Sequence, residues 1–178
     1  MRILGIMYVA GSKETREFLK EELRETFSAA KAYAQKESDP RIRTRTVYFS
    51  EESTFPALVR EIKKSHAVII AASALALEQI DSFVRQLGEL DQDNTVGLRG
   101  VWAGLIVHGV AHPFQTERYV NQILGSCNRA GMLLIPNGAA LSNDVGTTQH
   151  VRLGHNAAVA LSTHSEWNGM DAWSTEAA

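Results

Sequence analysis

Residues 1–16 read MRILGIMYVAGSKETR. Ile3 to Val9 is a short apolar run, Ala10 to Ser12 interrupts it, and a helical pattern of apolar residues begins at Lys13. A buried strand that leads through a small-residue turn into a helix places several unpaired backbone amides at one point. Because the helix dipole is also positive there, this turn is predicted to be an anion site.

The side chains of this turn allow two interpretations. In the first, Gly11 permits close backbone approach, Ser12 and Thr15 donate hydroxyl hydrogen bonds, and Lys13 adds a positive charge, which together suit a phosphate monoester. In the second, Ser12 is an ordinary N-cap and the neighbouring acidic residues complement the helix dipole. Both interpretations remain open at this point.

Composition and charge exclude several classes of protein. The chain has 178 residues and a formal net charge of −2, which gives no electrostatic reason to expect a nucleic acid or a membrane as partner. Its apolar runs are far shorter than the roughly 20 residues of a transmembrane helix. A single cysteine, Cys127, excludes an internal disulfide. We expect a cytoplasmic protein with one domain over residues 1–173 and a frayed tail over 174–178.

Strands and helices are predicted to alternate along the chain. Alternating residues predict a half-exposed strand, continuous apolar runs predict buried parallel strands, and apolar residues three or four apart predict helices. The predicted strands cover 2–9, 41–49, 66–72, 101–107 and 132–135, and the predicted helices cover 13–36, 54–64, 78–90, 114–130 and 147–163.

This alternation predicts an α/β protein with three layers and a doubly wound sheet of five parallel strands. The second strand, RIRTRTVYF over residues 41–49, has the pattern of an edge strand with one solvated face. An edge position for this strand favours the flavodoxin-like order 2-1-3-4-5. Ligands of such sheets bind beyond the carboxyl ends of the strands, here at the loops 10–15, 73–77 and 108–113.

The motifs of several other α/β chemistries are missing from the sequence. It contains no GxxxxGK[ST] phosphate loop, no GxGxxG after the first strand and no GxSxG turn for a nucleophilic serine. The first strand also ends without a carboxylate that could accept a phosphoryl group. Nucleotide hydrolysis, dinucleotide binding of the standard kind and serine hydrolase chemistry are therefore not predicted.

Two further turns contain candidate ligand-binding residues. Small side chains over Ser73 to Ala76 would let a flat ring approach the backbone, although a tight turn packed beneath a helix explains them equally well. His108 and His112 flank the fourth-strand turn, where loop histidines commonly hydrogen-bond a ligand or solvent. A metal site formed with His150 is a weaker hypothesis, and we predict no metal.

The order and spacing of these segments resemble the NAD(P)H-dependent FMN reductase family. The resemblance covers roughly residues 1–140 and depends on a set of matching segments: MRILGI at 1–6, the Gly-Ser pair at 11–12, HAVIIAAS at 66–73, LRGVWAGLIVHG at 98–109 and LGSCNRAGMLLIP at 124–136.

The resemblance implies a flavoprotein that passes hydride from NAD(P)H through FMN to a quinone, a flavin or another small acceptor. It also implies a homodimer or homotetramer, and no side chain that acts as acid or base. The residues implied to bind FMN fall into three groups: Gly11, Ser12, Lys13 and Thr15 at the phosphate; Ser73, Ala74, Leu75 and Ala76 along the ring; and His108, Gly109 and His112 at its other edge.

A second prediction is a flavodoxin-like binding or interaction module that has lost FMN. It depends on departures from the family pattern. Glu14 and Glu17 lie beside the predicted phosphate turn, where their charge repels an anion. The third-strand loop also has neither the proline nor the ring-stacking aromatic residue of the family.

Overall fold

A computed structural model describes residues 2–9, 13–36, 42–49, 55–73, 76–89, 98–108, 113–141 and 152–161. Five strands alternate with five helices over these residues, as the sequence predicts. In chain order the elements are β1 (Arg2–Val9), α1 (Lys13–Lys36), β2 (Ile42–Tyr48), α2 (Phe55–Lys63), β3 (Ala67–Ser73), α3 (Leu77–Glu89), β4 (Trp102–His108), α4 (Pro113–Arg129), β5 (Leu133–Leu141) and α5 (152–161).

The five strands form one parallel sheet in the order β2-β1-β3-β4-β5, which confirms the predicted topology. All seven residues of β3 are buried. A strand in the middle of a parallel sheet is covered by helices on both faces, so an unbroken apolar run such as AVIIA is the pattern it requires.

Apolar side chains form a core on each face of the sheet. One core joins alternate residues of β1, β3 and β4 to α2, α3 and α4, and contains Met7, Val68, Ile70, Phe83, Leu105 and Ile123. The other core joins the intervening strand residues to α1 and α5, and contains Leu4, Ile6, Leu19, Ile69, Ile106 and Leu153. The alternation of side chains along each strand thus produces the predicted three layers.

β2 lies at the edge of the sheet as predicted, but the expectation of a single solvated face is wrong. Arg43, Thr44 and Thr46 are all exposed, so side chains on both faces reach solvent. Arg45 is instead half-buried, because it packs against α2 and donates to the Glu61 carbonyl oxygen at 3.0 Å.

β5 is longer than the predicted strand over residues 132–135. It continues through Pro136 to Leu141, and its pairing with β4 changes register between Ala103↔Leu134 and Leu105↔Ala139. Asn156 on α5 donates to the Pro136 carbonyl oxygen at 2.6 Å and fixes this irregular stretch. A Pro-Asn-Gly sequence normally ends a strand, but here a bulge accommodates it and pairing resumes beyond it.

Gly131 ends α4, as the sequence predicts. Its φ of 89° is in the left-handed region that glycine adopts without steric cost. The amide of Gly131 donates to Asn128 O at 2.9 Å and that of Met132 donates to Cys127 O at 3.0 Å. This pair of bonds is the Schellman motif, and it turns the chain directly from α4 into β5.

Candidate functional site

The carboxyl ends of the three central strands lie side by side. Val9, the last residue of β1, pairs with Ala72 of β3. Ser73 and His108, the last residues of β3 and β4, pair with each other. Because the connecting segments after these strands all leave the same edge, the predicted ligand-binding loops begin at adjacent points of the sheet.

A tight turn connects β3 to α3. The amide of Ala76 donates to Ser73 O at 2.9 Å, and the amide of Ile80 donates to Ala76 O at 3.0 Å. Ala76 therefore occupies the N-cap of α3, with a side chain that offers no acceptor to the first-turn amides. Ser73 and Ala76 are both small and buried. Ala74 and Leu75 lie outside the described residues.

Leu77 is the first residue of α3, where the sequence placed it in the preceding loop. Its side chain is 46% exposed, which is high for a large apolar residue beside a predicted ligand site. Sequence reasoning assigned it no role of its own. Its position immediately before the acidic first turn was the available signal.

The first turn of α1 carries the described part of the predicted phosphate site. Lys13 is exposed and Thr15 is half-buried, so a charged group and a hydroxyl group lie where the helix begins. Arg16 is also half-buried. Gly11 and Ser12, the other two predicted phosphate ligands, lie outside the described residues.

Charge pairing along α1 changes the effect of its acidic residues. Lys20 Nζ donates to Glu17 Oε1 at 2.6 Å. This hydrogen bond is the main reason that the pKa of Glu17 is lowered, and the positive charges of Lys20, Lys13 and Arg16 lower it further, against a smaller opposing effect of burial. Glu17 is thus neutralised by a cation one turn further along the helix. The start of α1 therefore contains two carboxylates, Glu14 and Glu17, and three cations, Lys13, Arg16 and Lys20.

The backbone of His108, at the end of β4, lies next to Ser73. The third predicted ligand-binding loop therefore begins beside the second, as predicted. The other members of the histidine cluster, Gly109, His112 and His150, lie outside the described residues. Among the side chains that the structure describes, no group of three or more His, Cys, Asp or Glu residues is arranged to hold a metal ion. The histidine metal site therefore stays an untested hypothesis.

An aromatic residue that the sequence analysis left without a role lies at the same edge. Phe49 follows β2, and its amide donates to Tyr8 O at 3.4 Å. Its ring packs edge-on against Phe83 of α3, with centroids 5.4 Å apart and ring planes at 82°. The signal was the apolar end of the alternating second-strand run, which carries an aromatic side chain to the carboxyl end of the sheet.

The described helices differ from membrane spans in their length or composition. None of them combines the length and the apolar composition that crossing a bilayer needs. The two tryptophans of the C-terminal stretch, Trp167 and Trp173, lie outside the described residues.

Comparison with known proteins gives matches in structure only. No protein-family model matches the chain, and no curated protein matches its sequence.

Among solved structures, a WrbA-like flavodoxin from Agrobacterium tumefaciens aligns with a TM-score of 0.62 at 12% identity, covering 92% of this chain and 99% of that one. An oxidoreductase from Corynebacterium diphtheriae aligns at 0.61 and 14% identity, covering 90% and 97%. A short-chain flavodoxin associated with a bacterial microcompartment aligns at 0.57 and 11% identity, covering 90% and 99%. At these identities the likeness concerns the fold, and the chain has a flavodoxin-like α/β fold.

Proposed function

We propose that this protein is an FMN-binding oxidoreductase that passes hydride from NAD(P)H to a quinone, a flavin or another small acceptor. One observation carries the proposal: β1, β3 and β4 end at adjacent points of one sheet edge, where Ser73 pairs with His108. Ligands of open α/β sheets bind at this kind of edge. The flavodoxins and the oxidoreductase among the structures of similar fold add support.

The residues present fit the phosphate of FMN. The start of α1 offers first-turn amides and the positive end of the helix dipole. Lys13 is exposed beside them, and Glu17 is paired with Lys20 instead of adding an uncompensated negative charge. A dianionic phosphate monoester at this helix end therefore meets backbone hydrogen-bond donors and an excess of positive charge. These are the groups that bind a phosphate.

The turn between β3 and α3 fits the edge of a flat ring. Ser73 and Ala76 at its two ends are both small and buried, so neither places a large side chain over the turn. Ala76 at the N-cap contributes no side-chain acceptor to the first amides of α3, and we propose that acceptor atoms of the ligand pair with them. The uracil-like end of the flavin ring carries such acceptors.

Bound FMN would accept and release hydride, and the protein's part is to bind and orient it. In this assignment Lys13 and the amides of α1 hold the phosphate, while Ser73, Ala76 and the end of β4 position the ring. No side chain is assigned as acid or base. We further propose a cytoplasmic location. We also propose a homodimer or homotetramer, since isologous assembly is the commonest form of oligomer.

A second candidate is a flavodoxin-like interaction module without FMN. Glu14 is exposed in the first turn of α1 next to Lys13, and a carboxylate at that point weakens attraction for a phosphate.

Absorption spectroscopy of the purified protein separates the two candidates. After incubation with FMN and removal of free ligand, the proposal expects the two visible bands of oxidised flavin, and their loss when NADPH or NADH is added without oxygen. Apoprotein that retains no FMN supports the interaction module. Replacing Thr15 by Ala together with Ser12 by Ala should weaken FMN binding by roughly 1–3 kcal/mol if both hydroxyls donate to the phosphate.

A further inference from the structure

Positive charge is concentrated where β2 and α2 lie side by side. The described residues of β2, α2 and the turn after α2 include one carboxylate, Glu61, and five cations. Three of these cations lie on β2 or at Glu61, and we name them the β2–α2 face: Arg43, Arg45 and Lys64. The whole chain has a formal charge of −2. This face is therefore strongly basic on a protein that is slightly acidic.

Part of this charge is fixed in place. The Glu61 carboxylate accepts hydrogen bonds from both Arg45 and Lys64, and Arg45 also donates to the Glu61 carbonyl oxygen at 3.0 Å. One carboxylate thus bridges the strand to the helix and holds two cations. Because it carries only one negative charge, it leaves the pair of cations with a net positive charge.

The third cation of the face, Arg43, is exposed and forms no ion pair within the parts of the chain that the structure describes. The acidic residues of α1 behave differently, since Glu17 and Glu21 each accept from a cation one turn later. Among the described residues, the β2–α2 face thus carries more positive than negative charge.

No described strand pairs with the outer side of β2. β2 is the first strand of the sheet and pairs only with β1 among the described strands. The amide of Phe49 donates to Tyr8 of β1, so odd-numbered residues of β2 direct their amides toward β1. Alternation along the strand then directs the backbone groups of Thr44 and Thr46 outward. Both residues are exposed.

We propose that the β2–α2 face binds an acidic polypeptide segment, which adds to β2 as an extended strand. Its backbone would pair with the outward groups of Thr44 and Thr46, as in other strand additions. Arg45 contacts α2, so the odd-numbered side chains of β2 lie on the α2 side. Carboxylates on that side of the added strand meet Arg43, with Arg45 and Lys64 at Glu61 beside it.

The same charges specify the partner. A second copy of this chain would bring an identical basic strand edge, which is repelled. A nucleic acid would use the charges but not the backbone donors and acceptors of the edge strand. Only an acidic polypeptide satisfies both features of this face.

The inference does not depend on the proposed flavin site. Arg43 lies opposite Ile3 and Arg45 opposite Gly5 in the pairing with β1, so the cations of β2 lie toward the amino ends of the strands. The candidate flavin site lies at the carboxyl ends. A segment bound at Arg43 and Thr44 would leave that edge accessible.

The test uses a fluorescein-labelled peptide of alternating Glu and Val, and follows binding to the full chain by fluorescence anisotropy. Binding should weaken as salt is raised from about 0.01 M to about 0.15 M, where the Debye length falls from ~30 to ~8 Å. A peptide with Lys in place of Glu should not bind. A peptide with N-methylated amides on one edge should also fail to bind, because it keeps the charge but loses strand pairing.

Two double variants locate the site. Arg43→Ser/Lys64→Ser should weaken binding of the Glu-Val peptide about fivefold, because both exposed charges of the face are lost. Lys31→Ser/Arg118→Ser removes two exposed cations elsewhere and should leave affinity within about twofold. The two single substitutions of the first set are measured as well, with circular dichroism to show that each variant is folded.

Three results would overturn the proposal. Equal weakening by both double variants would show that only the net charge of the protein matters. Undiminished binding of the N-methylated peptide would rule out strand addition. Binding of an oligo-dT strand as tight as that of the Glu-Val peptide, lost in the first double variant, would make the face a nucleic-acid site instead.

Discussion

Ser73 lies opposite His108 in the parallel pairing of β3 with β4, and each is the last residue of its strand. β1 ends next to them at Val9, which pairs with Ala72. Three strand ends therefore reach one edge together, and the helices that follow begin around it. The flavin-binding proposal depends on this alignment, because a phosphate site after β1 and a ring site after β3 must be neighbours to hold one molecule.

His66 stabilises the other end of the sheet, where the amino ends of the strands lie. Its Nδ1 accepts from the Ile3 amide at 3.1 Å, and its own amide donates to Ile3 O at 2.9 Å. His66→Ala should lower the free energy of unfolding by about 1–2 kcal/mol, because the Ile3 amide loses its acceptor. His66→Asn keeps an acceptor near the Nδ1 position and should recover most of the loss in urea unfolding. Equal destabilisation by both variants would show that this hydrogen bond is unimportant.

Two helical glycines should respond in opposite directions to the same substitution. A Cβ on Gly154 would lie 2.2 Å from the Thr26 carbonyl oxygen, whereas a Cβ on Gly88 has no neighbour within 4 Å. Gly88→Ala should stabilise the protein by about 0.5–1 kcal/mol, through the gain in helix propensity alone. Gly154→Ala gains the same propensity but should destabilise by roughly 1–3 kcal/mol, because α5 must move away from α1.

Thermal unfolding of the two alanine variants measures this contrast. Each serves as the control for the other, since both residues lie within helices and change by one methyl group. Stabilisation by Gly154→Ala would mean that α1 and α5 do not pack as closely as the structure has them.

Glu61 should make stability depend on pH at the β2–α2 face. Its pKa is lowered from the ordinary value of 4.5, first by the hydrogen bond from Lys64 and then by the one from Arg45, against burial. A carboxylate with a lowered pKa stabilises the fold above its unfolded pKa, and loses that contribution as pH falls through its folded pKa.

Replacing Glu61 by Gln should therefore cost about 0.2–1 kcal/mol near neutral pH, as partly exposed ion pairs do. The difference between wild type and variant should shrink as pH falls below about 4. Urea unfolding at a series of pH values gives this difference, and a difference that does not change with pH would contradict the assignment.

Cys127 should be chemically inert in the folded protein. It is fully buried in α4, and burial raises the pKa of its thiol to about 12. At pH 8 the thiolate is then about one part in ten thousand. Labelling with a thiol reagent should be slow in buffer and fast in guanidinium chloride. As the chain has one cysteine, rapid labelling of the native protein would directly contradict the burial.

Much of the fold followed from local pattern. The unbroken apolar residues of β3 required cover on both faces, and the alternating polar residues of β2 required an edge, which together gave the strand order. β5 could not be read in this way. Its continuation past Pro136 depends on a bulge held by Asn156, 20 residues further along the chain, and local propensity contains no signal for that contact.

The candidate site was predictable in position but not in its charge balance. Lys13, Thr15, Ser73, Ala76 and His108 lie at the ends of elements that a parallel α/β order brings to one edge. From the sequence, Glu17 was expected to repel a bound phosphate, because spacing alone does not show which cation a carboxylate pairs with. In the structure Glu17 pairs with Lys20, which is within reach three residues later on the helix.

The most direct test of the central claim is an FMN titration of wild type, Lys13→Glu and Lys31→Glu, followed by quenching of flavin fluorescence. Both lysines are exposed on α1, but only Lys13 lies at the proposed phosphate site. Wild type should bind FMN, Lys13→Glu should weaken binding about tenfold, and Lys31→Glu should change it by about twofold or less. Absence of binding to wild type at about 0.1 mM FMN, or equal effects of the two substitutions, would contradict the proposed site.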